Sequence, residues 1–280
     1  MPLLKTDDES TEIESLLKGI HERYGYDFTH YSQASLKRRL NRVREHTKLF
    51  SYPELLERLY QDEQCFDLFL KHMSITVTEM FRDPAVYLSI REKIIPILKT
   101  FPFIKIWHAG CATGEEAYSM AILLHEEGFL DRARIYATDF NKQSLETGQA
   151  GIYSSKNMGT YAANYLAAGG KKNLSDYYSS SYDLVKFDDF LKEHITFSYH
   201  NLVTDGVFGE MNLICCRNVL IYFDKVLQDH VLSLFTESLR HGGFLCLGSK
   251  ESLNFTKVKK MFEPVDTKYR IYRMTEALHV

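Results

Sequence analysis

The sequence predicts an α/β domain with a parallel sheet, preceded by a small helical domain. Apolar residues recur at helical spacing in the first hundred residues, as in the stripe formed by Leu36, Leu40 and Val43. Further along the chain, short apolar runs alternate with helical segments, which is the pattern of parallel α/β folds. We therefore predict a helical domain over 1–95 and an α/β domain over 96–280.

The order of elements in the α/β domain follows from its apolar runs. The predicted strands lie near 104–109, 134–138, 195–199, 211–216 and 243–248. The predicted helices lie near 115–127, 141–149 and 225–240. Residues 269–273 alternate and predict a final edge strand. The polar segment 151–193 predicts an inserted subdomain, because a loop of that length is improbable in a compact domain.

The composition is that of an ordinary globular protein. Hydrophobic residues make up 45% of the 280 residues and charged residues 25%, so the chain can bury a sizeable core. The net charge of −3 argues against wholesale coating of nucleic acid. The acidic N-terminus and the lack of a run of ~20 apolar residues predict a cytoplasmic protein without membrane insertion. The cysteines show no paired spacing, which disfavours a disulfide framework or a zinc site.

The segment 104–118, IKIWHAGCATGEEAY, predicts a strand, a tight turn and the start of a helix. Gly110 and Gly114 mark the turn, and Glu115 and Glu116 open the helix. A phosphate-binding loop would carry Lys and Ser or Thr here, and two carboxylates would repel a pyrophosphate. Acidic groups suit a ligand with hydroxyls and a cationic end, such as S-adenosylmethionine. Alternatively, both glutamates only stabilise the positive end of the helix dipole.

Polar residues follow two further predicted strands. Asp139 stands where a ribose-binding carboxylate is expected, although a capping Asp is common in such turns. Arg217 and Asn218 follow the buried run 213–216. Ligands of open α/β sheets bind outside the carboxyl ends of strands, and an Arg-Asn pair is costly to bury unpaired. Tyr222 lies just beyond, either at the same mouth or as a core aromatic.

In their order along the chain, these motifs resemble the CheR-type chemotaxis receptor methyltransferases, which methylate receptor glutamates with S-adenosylmethionine. The matching segments are ITVTEMFRD (75–83), IWHAGCATGEEAYSMA (106–121), ATDF (137–140), FSYHNL (197–202), LICCRNVLIYFD (213–224) and GGFLCLGSKESL (242–253). They extend over nearly the whole chain. Ala117 replaces a proline that is usual in the family, and Thr76 replaces a frequent asparagine. Neither change removes a group that the chemistry requires.

The resemblance implies a Rossmann-like class I methyltransferase sheet with a helical N-terminal domain. It also implies that the inserted segment 151–193 is a small antiparallel β-subdomain. The implied cofactor is S-adenosylmethionine, the product is S-adenosylhomocysteine, and no metal is expected.

The resemblance also implies a set of cofactor contacts. They are Thr76, Thr78, Arg82, Glu115, Glu116, Asp139, Asn201, Leu202, Arg217 and Asn218. Asp139 would bind the ribose hydroxyls, and Asn201 and Leu202 would flank the adenine. Glu116 is favoured over Glu115, for which a helix cap is the alternative.

The implied reaction is attack of a glutamate carboxylate on the sulfonium methyl group. A glutamate with an ordinary pKa of about 4.3 is ionised at neutral pH, so the reaction needs no general base. We assign Arg82 and Tyr222 as catalytic residues, because charge-assisted hydrogen bonds from them would hold the substrate carboxylate.

The segment 36–44, LKRRLNRVR, predicts a basic helix on which Arg38 and Arg42 lie opposite the apolar stripe. A solvated charged face is the alternative. The resemblance implies that Arg38, Arg39 and Arg42 dock the cytoplasmic helical bundle of a methyl-accepting chemotaxis receptor. The chain is expected to be a monomer. A short turn at 178–182 favours an enzyme that does not depend on a receptor pentapeptide.

Two other functions stay open at this point. A small-molecule or nucleic-acid methyltransferase on the same fold would need an amine or hydroxyl nucleophile, and usually a base or an Asn/Asp-Pro-Pro-aromatic motif, which the sequence lacks. A module that binds S-adenosylmethionine without catalysis is the second. The presence of Glu116, Asp139, Arg217 and Asn218 argues against it.

Overall fold

The computed structural model describes residues 5–74 and 78–275, which form two compact units. The helical unit comprises Met1–Ile75 and Tyr222–Gln228, and the sheet unit comprises Thr76–Ile221 and Asp229–Val280. In the described part of the chain, no helix is both long and apolar enough to cross a bilayer.

The division between the units lies before the boundary predicted at 95/96. Val86, Ile90 and Ile94 are buried in the same apolar cluster as Ile104 of the first strand. These residues precede the predicted boundary but pack in the sheet unit, since apolar contacts decide where a compact unit begins.

Local capping signals explain where two helices of the helical unit begin. These helices are α1 (Lys5–Tyr24), α2 (Gln33–Thr47), α3 (Tyr52–Gln61) and α4 (Glu63–Met73). Ser51 and Glu54 form a capping box at the start of α3, and the Asp62 side chain caps α4. The predicted stripe on α2 is buried, with Leu36 and Leu40 at 2% and 0% exposure. The helical period of the sequence therefore marked the core face of α2 correctly.

Parallel strands form the centre of the sheet unit. The strands are β1 (Ile104–Ala109), β2 (Ala133–Asp139), β3 (Ile152–Ser154), β4 (Tyr178–Ser181), β5 (Leu184–Phe187), β6 (Ile195–Tyr199), β7 (Met211–Cys216), β8 (Leu239–Leu247), β9 (Phe262–Asp266) and β10 (Ile271–Met274). The large sheet has the order β6-β2-β1-β7-β8-β10-β9. Its first five strands are parallel, and β10 runs antiparallel to both β8 and β9.

Helices cover and connect these strands. They are α5 (Pro84–Ser89), α6 (Ile95–Leu98), α7 (Glu115–Glu126), α8 (Lys142–Ala150), α9 (Met158–Ala167), α10 (Asp189–Lys192) and α11 (Lys225–Ser238). A π-helical turn, Ile90–Ile94, joins α5 to α6. Single 3₁₀ turns lie at Leu130–Arg132, Ser155–Asn157, Leu174–Tyr177, Leu220–Tyr222 and Lys259–Met261.

The predicted fold class is confirmed, and all the predicted strands of the large sheet occur. One detail was wrong: the segment near 269–273 forms β10, which pairs with a strand on each side and is not an edge. The edge strand on this side of the sheet is β9, which the sequence analysis missed because Pro264 interrupts its pattern.

The segment predicted as an insertion carries the small antiparallel sheet β3-β5-β4 together with α9 and α10. Its inner side chains pack on α7, where the rings of Phe187 and Tyr118 stack with centroids 5.1 Å apart. The hydroxyl of Tyr153 donates to the carbonyl of Thr113 in the glycine turn, at 2.7 Å. The inserted segment therefore contacts the turn that follows β1.

Candidate functional site

The carboxyl ends of four parallel strands meet at one edge of the large sheet. The register pairs Ala109 with Thr138, Asp139 with Tyr199, and His108 with Cys215. The segments that follow β1, β2, β6 and β7 therefore all leave the sheet at the same edge. This is where ligands bind in open α/β sheets. We call it the cofactor edge.

The glycine turn after β1 is held by Asp139. Its Oδ2 accepts from the amide of Ala112 and its Oδ1 from the amide of Asn141, both at 2.9 Å. Ala112 has a positive φ of 48°, which is unusual for a residue with a side chain. Burial raises the pKa of Asp139, and the backbone hydrogen bonds partly oppose that increase. The aspartate therefore shapes the turn, whatever else it binds.

Gly114 ends the turn where no side chain fits. Its φ is 91°, and a Cβ placed there would lie 2.7 Å from a ring carbon of Phe197. Glu115, the first residue of α7, is buried, and its Oε2 accepts from the Thr113 hydroxyl at 2.7 Å. Burial raises the pKa of Glu115. Glu115 is therefore buried at the start of α7, where a carboxylate also stabilises the positive end of the helix dipole.

Glu116 forms the central ion pair of the cofactor edge. Its Oε2 accepts from Nη1 of Arg217 at 2.8 Å, and its Oε1 lies 2.9 Å from Nδ1 of His108. Burial alone would raise the pKa of Glu116, but the charge of Arg217 and the contact with His108 lower it to about 2. The carboxylate is therefore ionised at neutral pH and accepts a hydrogen bond from the imidazole.

Arg217 also holds the segment Met80–Asp83, which we call the 80–83 turn. Nη2 of Arg217 donates to the carbonyl of Arg82 at 2.9 Å and to Oδ2 of Asp83 at 2.8 Å. The Arg217 side chain is almost fully buried, and the charge of Glu116 outweighs the effect of that burial and raises its pKa. One guanidinium thus joins the end of β7, the start of α7 and the 80–83 turn.

Asn218 stands in a left-handed conformation, with a φ of 62°. The buried carboxylate of Glu251 accepts from the amide of Asn218 at 3.1 Å and from the amide of Val219 at 2.8 Å. Within the part of the chain that the structure describes, Oδ1 of Asn218 is buried and has no hydrogen-bond partner. That oxygen is available to a ligand.

Asn201 and Leu202 follow β6 at the same edge, and both are buried. Oδ1 of Asn201 accepts from the amide of Val203 at 3.0 Å, which closes a local turn. Thr78 is partly buried just before the 80–83 turn. Thr76 lies outside the described residues.

Comparison with known proteins shows the family of this chain. Residues 76–271 match the family described as CheR methyltransferase, SAM binding domain. Residues 11–74 match the CheR methyltransferase, all-alpha domain. The chain belongs to the CheR methyltransferase family.

Relatives of this CheR protein extend over most of its length. The Cher3 protein of Pseudomonas putida is 47% identical over 270 residues, which are 96% of this chain and 99% of that protein. A chemotaxis protein methyltransferase of Listeria innocua is 29% identical and covers 82% of this chain and 85% of its own length. Chemotaxis protein methyltransferase 1 of Vibrio cholerae is 32% identical, with 69% and 70% covered.

The cofactor of this CheR protein is S-adenosylmethionine, and the cofactor edge suits it. The edge carries carboxylates for hydroxyl and ammonium groups, and Oδ1 of Asn218 is a buried acceptor without a hydrogen-bond partner among the described residues. A metal suits the edge less well. Ligand atoms of His108, Glu116 and Cys215 lie within 4.8 Å of one another, but the guanidinium of Arg217 beside them would repel a cation.

The helical unit contains four predicted site residues: Arg38, Arg39, Arg42 and Tyr222. The carbonyl of Tyr222 accepts from the amide of Ser32 at 2.9 Å, and the Arg39 guanidinium carbon lies 4.5 Å from the centroid of its ring. Arg39 is 2% exposed and also donates to the carbonyl of Met73. The prediction that Arg39 docks a substrate is therefore wrong, because its guanidinium is enclosed in the unit. Arg38 and Arg42 are exposed.

The sequence analysis missed three residues that organise the cofactor edge: His108, Asp83 and Glu251. Each lies inside a segment already matched to the family. His108 is eight residues before Glu116, Asp83 follows Arg82, and Glu251 follows the end of a neighbouring strand. A histidine in an otherwise apolar strand, and acids beside Arg82 and after Gly248, were the available signals. These signals do not show which residue each side chain contacts, because the contacting residues come together only in the folded chain.

Replacing Glu116 with Gln should destabilise the protein in a pH-dependent way. The pKa of Glu116 is about 2 in the folded protein, below its pKa in the unfolded chain. The ion pair therefore stabilises the protein fully above the unfolded pKa, and this stabilisation is lost as the pH falls towards the folded pKa. We expect the free energy of unfolding to drop by about 3 kcal/mol at pH 7, because Arg217 stays buried and keeps only the half-exposed Asp83 as a counter-charge. Urea unfolding from pH 8 to pH 3 should show the wild type and E116Q converging below about pH 4.3. Glu237→Gln changes an exposed glutamate and is the control. If the difference in free energy of unfolding between the wild type and E116Q did not depend on pH, the assigned ion pair of Glu116 would be contradicted.

Proposed function

We propose that this CheR protein transfers the methyl group of S-adenosylmethionine to glutamate side chains on the cytoplasmic helical bundle of chemotaxis receptors. The products are glutamate methyl esters and S-adenosylhomocysteine, as in a protein-glutamate O-methyltransferase. The reaction would take place in the cytoplasm, where that bundle lies. The observation that supports the proposal most is the ionised Glu116 paired with Arg217 beside the 80–83 turn, in a domain of the CheR family.

The chemistry asks little of the enzyme beyond positioning. A receptor glutamate is ionised at neutral pH, so its oxygen attacks the methyl group without a base. The carboxylates of the cofactor edge are already engaged: Glu116 with Arg217 and His108, and Asp139 with two backbone amides. Their proposed role is to bind the cofactor and to shape the turns around it. Holding nucleophile, methyl group and leaving sulfur in line is what the site must supply.

We assign the cofactor contacts that the resemblance to the family implies. They are Thr76, Thr78, Arg82, Glu115, Glu116, Asp139, Asn201, Leu202, Arg217 and Asn218. Asp139 would accept from the ribose hydroxyls with the lone pairs that its backbone partners leave, and Asn201 and Leu202 would flank the adenine. When bound, the cofactor supplies a methyl group on a positively charged sulfur.

We assign Arg82 and Tyr222 to the substrate. The Arg82 guanidinium and the Tyr222 hydroxyl would each donate a charge-assisted hydrogen bond to the glutamate carboxylate. A strong ion pair would weaken the nucleophile, so orientation is their main contribution. Arg38 and Arg42, exposed on α2, would attract the acidic methylation region of the receptor.

The decisive experiment is the chemistry of the transferred methyl group. Receptor protein incubated with the enzyme and labelled S-adenosylmethionine should acquire label that mild base releases as methanol, because esters hydrolyse where methylamines do not. Receptor whose methylation-region glutamates are changed to alanine is the control and should acquire none. Base-stable label would exclude carboxyl methylation and favour the alternative of N-methylation.

Tyr222→Phe should lower kcat about 10- to 100-fold, the range expected when one hydrogen bond to a charged group is lost. The affinity for S-adenosylhomocysteine, measured by calorimetry, should stay unchanged, since the hydroxyl is assigned to the substrate alone. Tyr182→Phe removes the same hydroxyl from a fully exposed tyrosine and serves as the control. A large loss of cofactor affinity in Y222F would refute this role.

Reversing the charge of both Arg38 and Arg42 to Glu should raise the apparent KM for receptor, with little change in kcat. The effect should shrink as salt increases, because exposed charges are screened within about 10 Å at 0.1 M. Reversal of Lys257 and Lys260, which are also exposed, makes the same change in net charge and should leave KM unaltered. If both pairs had an equal effect, α2 would be a solvated charged helix and not a docking surface.

A further inference from the structure

The 80–83 turn has a strained main chain. Phe81 and Asp83 both have positive φ, 51° and 56°, although each carries a side chain. Such conformations cost free energy and persist only where the surrounding structure holds them. They flank Arg82, the residue that we assign to the substrate. The orientation of Arg82 therefore depends on whatever holds this turn.

Side chains from different parts of the sheet unit hold the main chain of the turn. Arg217, at the end of β7, donates to the carbonyl of Arg82. Ser119, on α7, accepts from the amide of Phe81 at 2.9 Å. Asn164, on α9, donates its Nδ2 to the carbonyl of Met80 at 3.1 Å.

Asn164 differs from the other two because it belongs to the inserted segment. The adjacent Tyr165 packs on the same turn. Its ring centroid lies 5.4 Å from that of Phe81, and the two ring planes are inclined by 64°. Tyr165 is in turn fixed by hydrogen bonding of its hydroxyl to Glu126 at the end of α7. Helix α9 therefore supports the 80–83 turn by one polar and one apolar contact.

We propose that the inserted segment is part of the catalytic machinery, with Asn164 as a positioning residue for Arg82. This inference rests on the proposed role of Arg82 in methyl transfer. Without the amide donor, the carbonyl of Met80 loses its partner and the strained turn relaxes. Arg82 then leaves the orientation in which it holds the substrate carboxylate. Small displacements of this kind reduce turnover without changing how tightly the cofactor binds.

Asn164→Asp tests the proposal, because it keeps the shape of the side chain but replaces the amide donor with a carboxylate that repels the Met80 carbonyl. We expect kcat to fall about 10- to 100-fold, with the affinity for S-adenosylhomocysteine unchanged. Asn164→His, whose Nδ1–H can donate from a similar position, should recover most of the lost activity. Ala163→Asp places the same charge on the exposed side of α9 and should behave as the wild type.

Hydrogen–deuterium exchange gives a readout that needs no methyl acceptor. In N164D the amides of the 80–83 turn should exchange at least about tenfold faster than in the wild type, and in A163D at the wild-type rate. Unchanged exchange or unchanged kcat in N164D would overturn the inference, as would a parallel loss of cofactor affinity and thermal stability. If the wild type methylates no receptor carboxylate, the proposed function fails on that result alone. The exchange rates still decide whether Asn164 positions the turn.

Discussion

The ion pair between Arg217 and Glu116 is the interaction on which the cofactor edge depends. Arg217 emerges at the end of a fully buried strand, where a guanidinium without partners would be very costly. Glu116, Asp83 and the carbonyl of Arg82 supply the partners. Because these groups come from three segments far apart in sequence, the need to satisfy one buried cation brings the helix start, the strand end and the 80–83 turn together.

Around this pair, polar side chains are used to hold the main chain in unusual conformations. Ala112, Phe81 and Asn218 all have positive φ, and their amides donate to Asp139, Ser119 and Glu251 respectively. Buried carboxylates at an edge of this kind are usually considered only as groups that bind the cofactor. Here they also shape the turns that a ligand would contact, so substitution of one of them would alter both affinity and geometry. This double use explains why the edge holds so many acids while the proposed reaction needs no base.

The sequence supported a large part of the fold, for physical reasons that differ from element to element. The central strands were predictable because strands covered on both faces are continuously apolar, and α2 because its apolar stripe follows the helical period. The pairing of β10 and the existence of β9 were not, since pairing partners and a proline-containing edge strand leave no period in the sequence. At the candidate site, Glu116 and Arg217 were named separately, and their contact was not foreseen. Arg39 was predicted to dock a receptor, but its spacing from Leu36 and Val43 places it on the face of the apolar stripe, and it is buried against Tyr222.

By itself, the sequence determined the family, the cofactor class and the order of the elements, because these depend on residue types at fixed spacing within short segments. Only the tertiary structure decided which charges neutralise each other, which acids hold the main chain and which helix of the inserted segment contacts the 80–83 turn. Those properties depend on distances between residues such as Asn164 and Met80, or Arg217 and Glu116, that are far apart along the chain. Burial then sets their energetic weight, since a charge or a carbonyl removed from water must find its partner in the fold.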